Sequence, residues 1–129
     1  MRGSRTGVYC AALGNEAVDH GFARFDPELQ GYMGLCFYNY GIPAHIAFTF
    51  DFRGTSTHIS SACSSSFTAL EAALSSIILG KCDAAVVTGS NICLNPRSNS
   101  DLMTLNVLAK DGHCKVFDES GKLYYFNGV

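Results

Sequence analysis

Residues Ser56 to Gly89 read STHISSACSSSFTALEAALSSIILGKCDAAVVTG, and this stretch decides the fold. Ser56 to Ser61 is short, polar and extended in character. Phe67 to Leu79 is rich in good helix formers and is closed by Gly80, a C-terminal stop signal. Asp83 to Gly89 then reads as a short strand without a polar face. Strand, helix and strand in this order predict a right-handed crossover between parallel strands, with helices packed on the sheet. The fold class is therefore α/β.

The junction between the first strand and the helix carries Cys63 inside Ala62-Cys63-Ser64-Ser65-Ser66. This position predicts Cys63 at the first turn of the helix. There the unpaired N–H groups and the positive end of the helix dipole favour a thiolate. The same N–H groups could hold the oxyanion formed when sulfur attacks an acyl carbonyl. A cysteine at a strand-helix junction also suits a purely structural role as a small buried apolar group. Pattern alone leaves both readings open.

The helix itself is short of charge. Between Ser64 and Gly80 only Glu71 is charged, in a chain where 16% of residues are Asp, Glu, Lys or Arg. Such a helix is expected to be buried nearly all round. A chain of 129 residues has little left to surround it once its own strands are placed, so partner surface is expected to be missing.

Working outward, Gly7 to Leu13 fits a buried strand, and Gly14 to Arg24 a loop. Pro27 is a suitable first-turn residue for a helix over Glu28 to Tyr40, although Gly31 and Gly34 weaken it. The aromatic residues Tyr32, Phe37, Tyr38 and Tyr40 are read as core or subunit contact. His45 to Phe52 alternates only weakly, and Gly54 marks a turn. Asn91 to Asn106 is loop-like around Pro96 and Arg97 and then weakly helical; Lys110-Asp111-Gly112 signals another turn before Lys115-Val116-Phe117-Asp118.

Composition excludes several classes. A net charge of -2 with no basic cluster gives no footprint for nucleic acid. No apolar run reaches about 18 residues, and Met1 to Arg5 leads into no signal-peptide core, so a cytoplasmic, non-membrane protein is expected. The six cysteines, Cys10, Cys36, Cys63, Cys82, Cys93 and Cys114, are widely spaced and form no C-x-x-C pair. Reduced thiols are expected, with no disulfide framework and no metal site.

The block Phe50-Asp51-Phe52-Arg53-Gly54 followed by Ala62-Cys63-Ser64-Ser65-Ser66 resembles the β-ketoacyl synthase domain of animal-type fatty acid synthases and related polyketide synthases. Gly80, Cys82, Ala84, Ala85, Gly89, Asn91, Leu94 and Pro96 fall on the same pattern, as do Leu105, Leu108, Gly112, Cys114, Lys115, Phe117 and Asp118. The resemblance implies a thiolase-like fold, of which residues 1–121 form a partial N-terminal half, with 122–129 a divergent or truncated tail. It implies decarboxylative Claisen condensation, in which Cys63 accepts an acyl group from the phosphopantetheine of an acyl carrier protein and a malonyl thioester supplies the carbanion. No cofactor bound directly to the chain is implied, and the complete protein would be a homodimer.

The chain departs from that pattern in places. Ser60-Ser61 stand where the family usually has Asp-Thr, Thr55 stands where it usually has Pro, and the match is lost after Gly121. The family's two catalytic histidines lie downstream of the resembling segment, and none of the four histidines here, His20, His45, His58 and His113, takes their place by motif. The chain alone is thus expected to lack condensation activity. Two alternatives remain: another thiolase-fold acyl-condensing enzyme, such as a hydroxymethylglutaryl or chalcone type synthase, and a non-catalytic interaction fragment of a synthase.

Overall fold

Strand β1 (Thr6–Ala12) is buried at all seven positions, and the sheet is built around it. The computed structural model describes residues 1–12, 38–91, 96–109, 112, 113, 115 and 117–119. They fall in two compact units, Met1–Ile92 and Cys93–Val129. In the first unit the elements after β1 are α1 (Gly41–Phe50), β2 (Ser56–Ile59), α2 (Ser65–Ile78) and β3 (Ala84–Ser90). The second contains α3 (Pro96–Thr104).

The three strands are parallel in the order β2-β1-β3. Cys10 is level with His58 on one side and Thr88 on the other. The connections through α1 and α2 run in opposite directions across the sheet, so right-handed crossovers require the two helices on opposite faces. A parallel strand covered on both faces carries no polar alternation, which is why β1 reads TGVYCAA. The α/β class with parallel strands is as expected from the sequence, and β2 and β3 are separated by β1 rather than adjacent.

Helix α2 rests on the sheet through small residues. Ala69 and Ala73 are buried against Tyr9 and Ala11, with Ile59, Ala72, Ala85 and Val87 around them. Alanines at i and i+4 share one helix face and let the axis approach the sheet closely. The opposite face is apolar but uncovered: Phe67 is 78% exposed, Leu74 56% and Ile78 74%. The expectation of burial all round is therefore corrected for this chain, whose sheet covers one side only. Strand β3 is likewise half-buried rather than fully enclosed, because among the described strands β1 alone flanks it.

Helix α1 corrects the reading of His45 to Phe52, which lies within and just beyond a helix. Gly41 and Pro43 occupy its first turn and are buried, a place where proline's missing N–H costs no hydrogen bond. Tyr38 and Tyr40, expected within an earlier helix, instead form the turn before α1, with rings stacked at 5.4 Å. The rest of that expected helix, the loop from Gly14 to Arg24 and the tail 122–129 lie outside the described residues.

All three described helices end in the same way. Gly80 has φ of 67°, its N–H donates to Ile77 and the N–H of Lys81 to Ser76. The pattern repeats with Asp51 after α1 and Asn106 after α3, both at positive φ. This paired arrangement satisfies the last carbonyls and needs a left-handed residue. Nothing lies within 4 Å of a Cβ added at Gly80, so Gly80→Ala is expected to cost about 1 kcal/mol, purely from backbone torsion. Asp51→Gly removes the same penalty and is expected to leave stability unchanged or higher; urea denaturation of the two variants measures both.

Candidate functional site

Parallel strands that point the same way bring their carboxyl ends together, and open α/β sheets bind ligands along that edge. Strand β2 ends there at Ile59, and the chain turns through Ser60 to Ser64 before α2 begins at Ser65. Cys63 lies on this turn and is exposed, unlike the buried thiols of Cys10 and Cys82; all three are free. The expected position in the first helical turn is corrected: Ser64 is the N-cap, and Cys63 lies just before it, two residues ahead of the first helical residue.

The turn is held by serine hydroxyls. The Ser65 hydroxyl accepts the N–H of Ser61 at 2.8 Å and donates to the carbonyl of Ala62 at 2.6 Å. The Ser64 hydroxyl donates to the Ser61 carbonyl at 2.7 Å. Ser61 and Thr68 hydroxyls pair at 2.9 Å, and the Thr68 hydroxyl also donates to the Ser64 carbonyl at 3.0 Å. Within this net Ala62 has φ of 51°. That left-handed conformation costs an L-residue about 1–2 kcal/mol.

Ser64 makes no side-chain capping bond to the helix. Helix geometry gives the amides of Ser66 and Phe67 no carbonyl acceptor within α2. They are the donors at the helix end that the turn of Cys63 leads into, where an anionic group would meet the positive end of the helix dipole. Glycine at position 89 lets this end of the helix seat on the sheet, since a Cβ there would stand 2.5 Å from the Ser66 hydroxyl.

The histidines are placed otherwise. His58 Nε2 is 3.0 Å from the Ala12 carbonyl, tying β2 to the end of β1. His45 is exposed on α1, which packs on β1 and β2. His113 belongs to the second unit, and His20 lies outside the described residues. Among the described residues no cluster of three or more His, Cys, Asp or Glu is arranged to hold a metal ion.

Reading the sequence located the thiol but missed the residues that shape its turn, Ser61, Ser65 and Gly89. The signal for the first two is the serine run itself, because serine bonds readily to nearby backbone and replaces regular structure with turns.

The family model for "Beta-ketoacyl synthase, N-terminal domain" matches residues 1–129. A fatty acid synthase from Anser anser anser is 42% identical over 124 residues, covering 96% of this chain and 35% of the relative. A probable polyketide synthase of Dictyostelium discoideum is 37% identical over 120 residues, covering 93% of this chain and 4% of the relative. Among solved structures, the module 6 ketosynthase of the bacillaene synthase from Bacillus subtilis superposes with a TM-score of 0.78 at 26% identity, over 97% of this chain and 20% of that one. An oxazolomycin ketosynthase domain from Streptomyces albus gives 0.75 at 28% identity, over 95% and 21%. The chain thus spans about a third of the goose relative and about a fifth of the solved ketosynthase chains.

The contrast among the thiols is directly testable. Under native conditions iodoacetamide is expected to label Cys63 while Cys10 and Cys82, which are 1% and 2% exposed, stay unmodified until the domain unfolds. Peptide mass spectrometry over a time course reads the three sites separately.

Proposed function

The chain belongs to the β-ketoacyl synthase family, as part of its N-terminal domain, and from that premise we propose that Cys63 is the nucleophile that accepts the acyl group. The observation that carries this reading is an exposed thiol immediately before the uncapped N-terminus of α2, at the carboxyl edge of a parallel sheet.

The donor is an acyl thioester on the phosphopantetheine of an acyl carrier protein. The sulfur of Cys63 attacks the thioester carbonyl and a new carbon-sulfur bond forms, while the carbonyl oxygen gathers negative charge near the free amides of α2. Collapse of that intermediate breaks the bond to the pantetheine sulfur. The pantetheine leaves as a thiol with the proton that Cys63 gave up, and the chain is left as a thioester.

In the complete domain this thioester would undergo decarboxylative Claisen condensation with a malonyl thioester. That second half needs groups that stabilise a carbanion. His58 is committed to the Ala12 carbonyl and His45 stands exposed on α1, which supports acylation without condensation for this chain alone. The working state of the complete synthase is a homodimer in the cytoplasm. Strand β2 supports the dimer, since among the described strands it lies at the edge of the sheet, where a further strand can pair. No described helix is long and apolar enough to cross a membrane.

Incubating the chain with an acyl thioester is expected to add one acyl mass, located on Cys63 and absent from Cys63→Ala. Adding a malonyl thioester is expected to give no condensed product. An absent adduct, or one that persists in Cys63→Ala, overturns the assignment.

A further inference from the structure

The turn that carries Cys63 contains one buried hydroxyl. Ser65 is 5% exposed, while Ala62, Cys63 and Ser64 around it are exposed. Its oxygen is bonded at both ends of the turn, accepting from the Ser61 amide at 2.8 Å and donating to the Ala62 carbonyl at 2.6 Å. The Ala62 carbonyl is also met by the Ser65 amide at 3.1 Å. The residue so gripped is the left-handed Ala62, and the next residue is the thiol.

Taking the acyl-accepting role of Cys63 as its basis, we propose that Ser65 is a positioning residue: its hydroxyl holds Ala62 in the left-handed conformation that sets Cys63 before the free amides of α2. The other hydroxyls of the turn serve this less well. Ser64 and Thr68 are exposed, so water replaces their bonds at little cost. Ser65 is shielded, and its loss leaves the Ser61 amide without that acceptor. An alanine does not choose a positive φ unaided, because its Cβ crowds the following carbonyl oxygen. With the clamp removed, Ala62 relaxes toward negative φ and carries the sulfur away from the amides, although the thiol stays exposed.

Two reactions of the same sulfur separate positioning from mere exposure. Acyl transfer needs the oxyanion donors in register, whereas alkylation by iodoacetamide needs only an accessible thiolate, so the ratio of the two rates cancels any change in ionisation of the sulfur. Ser65→Ala is expected to slow acylation of Cys63 by an acyl-coenzyme A roughly tenfold or more, in line with the sensitivity of catalysis to small displacements. Alkylation is expected to slow by no more than about threefold, since it forms no oxyanion and depends on the sulfur only through its exposure and its thiolate form. Introducing Ala62→Gly into the Ser65→Ala chain removes the Cβ penalty and is expected to restore part of the lost acylation rate. Protection of Cys10 and Cys82 from alkylation reports that each variant is folded.

Should Ser65→Ala unfold, Ala62→Val decides the matter. It leaves the buried hydroxyl in place, changes an exposed side chain, and puts a β-branched residue where positive φ is least tolerated. It is expected to slow acylation selectively. Acylation at the unsubstituted rate in a folded Ser65→Ala chain, or in Ala62→Val if the former is unfolded, overturns this inference alone. Equal slowing of acylation and alkylation overturns it too. If the unsubstituted chain takes up no acyl group, the Cys63 assignment falls and this inference with it.

Discussion

Everything in the first unit depends on the enclosure of one strand. β1 has a partner on each side and a helix over each face, so Val8 and Cys10 are as dry as any residues in the chain. That enclosure fixes the register of β2 and β3 through their pairing with β1, and it fixes where α2 must lie to cross from one edge to the other. The start of α2 is thereby delivered to the carboxyl edge of the sheet, and Cys63 with it. The position of this thiol is a consequence of topology before it is a property of the cysteine.

The α2 helix explains why composition was informative and yet incomplete. Its single charge, Glu71, predicted a helix enclosed on every side, and one side is enclosed by the alanine stripe on Tyr9 and Ala11. The large residues Phe67, Leu70, Leu74 and Ile78 lie away from that stripe and are more than half exposed. An outer face of this kind is the composition of a helix built to be covered twice. The shared family and the fifth of each solved ketosynthase chain that this one spans are consistent with that composition.

The parts legible in the sequence were those where a local signal and the global fold agree. The parallel α/β core, the strand-helix junction at Cys63 and the stop at Gly80 all have such signals, and the match of the family model to residues 1–129 bears out the resemblance carried by Phe50 to Gly54 and Ala62 to Ser66. Helix α1 had none. Its sequence, GIPAHIAFTF, opens with glycine and proline and continues with β-branched and aromatic residues, so packing rather than propensity makes it helical. The left-handed Ala62 was equally hidden, because the residue types that announce positive φ are glycine, asparagine and aspartate. Gly89 was visible as a glycine, but its reason, the approach of Ser66, exists only once helix and sheet are brought together.

Three serines at the start of a helix would ordinarily be read as a well-capped terminus, since a serine N-cap bonded to the helix amides contributes about 1 kcal/mol. The structure uses them differently. Ser64 turns its hydroxyl back to the Ser61 carbonyl, and Ser65 bonds the backbone of Ser61 and Ala62. The amides ahead of Cys63 are consequently left without a side-chain partner from the N-cap. A capped terminus would be more stable and would also present a neutralised face to an incoming carbonyl. Forgoing the cap, and holding an alanine at positive φ beside it, is a local loss of stability concentrated on the one exposed thiol among the described residues, as expected where strain serves a site rather than the fold.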